Sequence, residues 1–186
     1  MGICYLYVDR PVAVYFHSQK TSLTTFSSIL TKLGEGTYYI VPSLILFLFF
    51  RKKNHYYAQI SLFILASVSI SGILVNILKI ILGRFRPEIF FEKNLYGFDW
   101  FHVTPSMVSF PSGHSATALS AWLALAIVFP KYRIALLFIG IAIASTRIII
   151  TMHYCSDVIA GSALGIAVTM IYYHRFYLKN SVLSRA

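Results

Sequence analysis

Acidic side chains are scarce in this sequence: six Asp and Glu stand against sixteen Lys and Arg, and charged residues of both signs make up 12% of 186 positions. Soluble domains carry roughly 25% charge. A water-soluble globule is therefore excluded, and 58% hydrophobic residues with a mean hydropathy of +0.71 place the chain in a bilayer. Cysteine is nearly absent as well; Cys4 and Cys155 lack metal-ligand and redox spacing and read as unpaired small apolar residues. No Pro/Gly/Ser-rich linker, low-complexity tract or repeat separates the apolar runs, so residues 1–186 read as one domain. The start has no basic n-region of a signal peptide, and Met1-Gly2 is not a myristoylation site because Leu6 stands where Ser or Thr is required. The net charge of +10 could suggest nucleic acid, but bases flanking membrane spans give the same excess.

What is present is a series of apolar runs that predict an all-α, polytopic transmembrane helix bundle with five spans, near Thr37–Phe50, Ala58–Leu82, Ser115–Phe129, Ile134–Met152 and Val158–Tyr173. The first run has 14 residues, about 21 Å of helix, and must borrow Gly34–Gly36 or the stems of Arg51, Lys52 and Lys53 to cross about 30 Å of hydrocarbon. Met1–Val8 is too short to span and reads as the tail of a first helix. The expected organisation is an outer-side segment over 1–36, the bundle over 37–173 and a basic cytoplasmic tail over 174–186. With alternating spans, one side receives Arg51, Lys52, Lys53, Lys131, Arg133, Arg175, Lys179 and Arg185, eight bases and no acid. By the positive-inside rule that side is cytoplasmic. Asp9, Glu35, Glu88, Glu92, Asp99 and Asp157 then fall outside, with the segment Gly83–Phe110.

Several ionisable residues break this pattern. Lys79, Arg86, Arg147, His153 and Asp157 lie at or just inside outer span ends. A single Lys or Arg there can snorkel, but an intramembrane base costs roughly 2.5–3.5 kcal/mol on insertion scales, and several converging on one side suggest an anion site. Pro87 disfavours helix at Arg86, so that side chain should reach in from an extended turn. In FPSGHSAT, Phe110 to Thr117, Ser112 suits a helix N-cap, while Gly113 lets the backbone and the positive helix end approach an anion. His153 and Asp157 are four apart, so the carboxylate can accept an imidazole N–H and present the other ring nitrogen. The aromatic-rich stretch Asn94 to Val103 reads as an interfacial belt, or as a cover over the site.

In order, these residues form Lys79-IILGRF-Arg86-Pro87, Pro111-Ser112-Gly113-His114 and Arg147-IIITM-His153-YCS-Asp157. The arrangement resembles the type 2 phosphatidic acid phosphatase family, with every internal spacing kept between Lys79 and Asp157. It departs at Thr146, where the family usually has Ser, and in showing five spans where six are common. The resemblance implies that His153 attacks phosphorus to form a phosphohistidine, that Asp157 orients it and that His114 protonates the leaving oxygen. Lys79, Arg86, Ser112, Gly113 and Arg147 would hold the phosphoryl oxygens, with no metal and no cofactor. The implied activity is lipid phosphatase, acting on lipid A, undecaprenyl pyrophosphate or phosphatidylglycerophosphate/phosphatidic acid. The implied setting is a bacterial inner membrane with an outward-facing site, and the implied partners are the lipid substrate and bilayer, not nucleic acid. Vanadium haloperoxidases share such residues but are soluble, and a lipid phosphotransferase would use the same phosphohistidine.

Overall fold

Long apolar stretches without breakers become helices here, and the computed structural model describes them over residues 2–19 and 22–177. Among the described residues the α-helices are α1 (Asp9–Ser18), α2 (Ser22–Leu30), α3 (Thr37–Phe50), α4 (His55–Leu82), α5 (Pro87–Lys93), α6 (Gly113–Val128), α7 (Arg133–Ile149) and α8 (Cys155–Tyr172). The helical runs Ser22–Phe50, His55–Leu82, Pro130–Ile149 and Cys155–Tyr177 are long and apolar enough to cross a membrane. The fifth, α6, has 16 residues, about 24 Å. It can be short because it is enclosed. Ala116, Ala118, Ala121, Ala124 and Ala126 are fully buried, and α6 packs on α4, α7 and α8.

Close packing around α6 depends on two glycines. A Cβ on Gly161 would lie 2.1 Å from the Ser112 carbonyl oxygen, and one on Gly165 would lie 2.3 Å from that of Ala116. They form a G-x-x-x-G face on α8, the means by which membrane helices bring backbones together. Ala118, Leu119, Ile143, Ala144 and Val158 form the core of this contact. At the end that carries Arg51–Lys53 and Lys131, a second cluster joins Phe63, Ala124, Val128 and Tyr177.

The first span differs from its expected form. It does not begin at Thr37: α2 and a 3₁₀ turn, Thr31–Gly34, precede α3, giving a broken helical run of 29 residues. In the hydroxyl-rich α2, Ser28 Oγ folds back and donates to the Thr24 carbonyl at 2.8 Å. α2 packs on α7 and α3 on α4, so the break crosses the bundle. Residues 2–18 also form more than a helix tail: a π-helical turn, Cys4–Val8, leads into α1, which lies against α7 and α8. Arg175 sits in a π-helical turn, Tyr173–Tyr177, that continues α8, whereas Lys179 and Arg185 lie outside the described residues.

Candidate active site

Alternating span direction brings the C-terminal ends of α4 and α7 together with the N-terminal ends of α6 and α8, at the end opposite Arg51–Lys53 and Lys131. Lys79 occupies the last turn of α4. Gly83 ends that helix at φ 45°, where a Cβ would stand 1.7 Å from the Asp99 carbonyl oxygen, so no other residue fits. The chain then runs extended, held by Arg84 N donating to Met107 O (2.6 Å), Phe85 N to Gly97 O (3.2 Å) and Arg86 N to Ser106 O (2.9 Å). Arg86 is extended (φ −73°, ψ 161°) before Pro87 opens α5, as the proline requires.

Ser112 caps α6: its Oγ accepts from Ser115 N at 3.4 Å and from Ser115 Oγ at 2.9 Å, and its own N–H donates to the Asp157 carbonyl at 3.0 Å. Its acceptor capacity is thus committed to the helix start. At Gly113 the Lys79 ammonium lies 3.8 Å from where a Cβ would be, which sets a cation beside a positive helix end. Two like charges meet there, and an anion is what completes them. His114 packs against Gly34 in the broken span; a Cβ on Gly34 would come within 3.0 Å of its Cδ2. Lys79, Arg86 and Arg147 are charged neighbours of His114, and His153 lies near it as well.

Arg147, in the last turn of α7, donates from Nη1 to Thr31 Oγ1 at 3.2 Å, and its carbonyl accepts from His153 N at 3.1 Å. The tight return through Thr151 (φ 53°) fixes His153 beside it. Buried Nε atoms of Arg86 and Arg147 have no hydrogen-bond partner among the described residues. Thr146 turns away, its Oγ1 bonding the Ile143 carbonyl at 2.6 Å, so its hydroxyl serves its own helix.

His153 is 2% exposed, with Nδ1 3.3 Å from Ser109 Oγ and 3.5 Å from Asp157 Oδ2. Asp157 Oδ2 also accepts from Ser109 Oγ (2.6 Å) and Tyr154 N (3.0 Å). With Nδ1 turned to this pair, Nε2 is the nitrogen left for the site. Burial pushes the imidazole pKa down to about 4, Asp157 opposes that, and Lys79 and Arg147 reinforce it. The ring is therefore neutral at neutral pH, with the Nε2 lone pair unprotonated when Nδ1 carries the hydrogen. Burial likewise pulls Arg86 below its ordinary value, against Asp157 and Glu88.

Beside the basic cluster lies a cavity of about 590 Å³, lined by Gly34–Gly36, Ile40, Val68, Ile73, Val75 and, at its head, Gly113 and His114. Its wall is mostly apolar, with Glu35, Thr37, Ser69, Asn76 and Thr117 adding polar groups. A phosphate on a lipid suits such a site: charge at one end, hydrocarbon at the other.

Residues 60–181 match the sequence profile of the PAP2 superfamily. The chain belongs to that superfamily. It is 32% identical over 178 residues to a lipid A 1-phosphatase of Rhizobium etli, covering 89% of this chain and 75% of that protein. It is 35% identical over 149 residues to one of Rhizobium johnstonii, covering 74% of this chain and 61% of that protein. The crystal structure of Aquifex aeolicus LpxE has the same fold, with a TM-score of 0.68 at 23% identity over 94% of this chain and 96% of that one. This PAP2 protein is an integral membrane phosphatase that acts on a lipid phosphate.

The structure brings His114, His153, Asp157, Lys79, Arg86, Gly113 and Arg147 to one end of the bundle, with Ser112 beneath them as a cap. Sequence reasoning passed over Ser109, Thr31 and, above all, Arg84 and Asp9. Arg84 is fully buried and Asp9 is 1% exposed. The signal for Arg84 was a third base inside Lys79-IILG-Arg84-F-Arg86, and for Asp9 a lone acid beside apolar residues. Neither announces a partner 75 positions away.

Proposed function

We propose that this PAP2 protein removes a phosphate from a saccharide-type membrane lipid, of which lipid A 1-phosphate is the model, through a phosphohistidine on His153. The observation that carries this is the position of His114 and Gly113 at the head of a mostly apolar cavity whose polar wall groups suit a hydroxyl-bearing leaving group. The names of the two rhizobial relatives support the same substrate class.

In this reading Nε2 of His153 forms the bond to phosphorus as the bond to the leaving oxygen breaks, and His114 delivers a proton to that oxygen. Asp157 and Ser109 hold the ring. Lys79, Arg86, Ser112, Arg147 and the α6 N-terminus at Gly113 stabilise the equatorial oxygens, Ser112 through the O–H it does not spend on the helix start. Water on the leaving-group side then attacks the phosphohistidine. The membrane is a bacterial inner membrane and the site opens on its periplasmic face, so that an outer-leaflet lipid reaches it without its tails leaving hydrocarbon.

The test is phosphate release by purified protein in detergent from lipid A, undecaprenyl pyrophosphate, phosphatidylglycerophosphate and phosphatidic acid, each with and without EDTA. Preferred release from lipid A, unchanged by EDTA and competitively inhibited by vanadate, is expected; equal rates on all four lipids would overturn the substrate assignment, and loss in EDTA the metal-free chemistry.

A further inference from the structure

Phosphoryl transfer itself does not account for the ion cluster behind Asp157. Arg84 Nη1 donates to Asp157 Oδ1 and to Ser156 Oγ, the latter at 2.7 Å. Its Nη2 donates to Asp9 Oδ2 at 2.8 Å and to Tyr96 Oη at 3.0 Å. Asp9 in turn accepts from Ser156 N at 2.9 Å through Oδ1, so an acid in α1 satisfies an open N–H in the first turn of α8. The rings of Tyr5, Tyr96, Phe98 and Tyr154 have centroids 4.5–5.3 Å from the guanidinium carbon and close the cluster to water. Charges so enclosed are little screened by salt.

We propose that Asp9 and Arg84 are positioning residues for the reaction: they fix the Asp157 carboxylate so that its second oxygen serves His153, and Asp9 keeps Arg84 from neutralising it. The geometry assigns each oxygen a task. Oδ1 of Asp157 is taken by the guanidinium fork, which leaves Oδ2 for Ser109, Tyr154 N and His153 Nδ1. One cation between two carboxylates leaves a net negative charge facing the imidazole; without Asp9 that charge is cancelled. The cations Lys79 and Arg147 act on the ring from α4 and α7, and His114 neighbours it from α6, so the negative charge behind Asp157 is what balances the positive ring formed on attack. Burial pulls Arg84 down, but Asp157 and Asp9 outweigh it and hold the guanidinium firmly charged.

The proposal rests on His153 as the nucleophile and is tested on the purified full chain with p-nitrophenyl phosphate across a pH series. Asp9→Asn should lower kcat about 10–100-fold, the range seen when outer partners of an oriented histidine are removed, with KM changed by less than about twofold. Its acid limb should move to lower pH, because the ring loses a stabilising negative charge. Asp9→Glu should restore the limb toward its original position, and Arg84→Lys should lose kcat because a fork becomes a point charge. A merely structural role predicts the opposite shift: a loosened cluster admits water and carries His153 back up toward its ordinary value of about 6.5. An acid limb that stays put or moves up in Asp9→Asn, or an unchanged kcat, overturns the proposal. Should Asp9→Asn fail to fold, Tyr96→Phe, which removes one hydroxyl from the cluster, must show a smaller kcat loss and the same direction of shift; wild-type behaviour there overturns it equally. His153→Ala run alongside separates the premises, since activity in that variant removes the nucleophile assignment itself.

Discussion

His114 and His153 are both imidazoles, yet the proposed mechanism asks one to give a proton and the other to attack with a lone pair. Their surroundings differ accordingly: His153 is enclosed by Ser109 and Asp157, while His114 faces the cavity. If His114 is the acid, its value depends on how badly the leaving group needs a proton. His114→Ala should lose about 10²–10⁴-fold more activity on a lipid phosphomonoester than on p-nitrophenyl phosphate, and His153→Ala should be inactive on both. A leaving-group series on the folded variants checks this, and equal losses for His114→Ala would reduce it to a phosphate ligand. A pH prediction follows from burial. With its pKa held near 4, His153 stays neutral far below the ordinary imidazole range, so kcat/KM should rise with pH through an acid limb near 4. A limb near 6.5 in the pH profile would mean the ring is hydrated in the free enzyme.

At the scale of the element, the contact of α8 with α6 carries the site, since Ser112 N on one bonds the Asp157 carbonyl on the other at 3.0 Å. Gly161→Ala should push these backbones apart, costing about 1–3 kcal/mol of overpacking and most of the activity, measured as melting in detergent and turnover. Retained stability and rate would show that the contact can relax. Four of the five spans were legible within a few residues, because uninterrupted apolar runs have one solution in a bilayer. The first was not: Ser, Thr and Lys in SLTTFSSILTK dilute its hydropathy, and only the folded helix shows the Ser28 hydroxyl bonded back to the Thr24 carbonyl. The three motifs located the ends that meet, since their spacing is local. Ser109, Arg84 and Asp9 escaped because their roles come from contacts between distant segments, and Gly161 and Gly165 because a G-x-x-x-G pair shows its purpose only when the facing backbone is known.

For the whole molecule, the separation of charge predicts orientation. Single cysteines at Lys93 and Asn94, in a background lacking Cys4 and Cys155, should react with an impermeant maleimide on intact cells, and cysteines at Lys52 and Lys131 should not. Labelling at 52 or 131 would invert the protein. The ion cluster has a consequence for how the chain is made. Asp9 is synthesised before Arg84 and Asp157 after it, and Arg84 pairs with both. Until α8 leaves the ribosomal tunnel this guanidinium has Asp9 but lacks its bonds to Ser156 and Asp157, which leaves donors of a buried cation unsatisfied. Arrival of α8 brings Asp157 to both Arg84 and His153, so in the proposed mechanism the site is not assembled before α8 is in place.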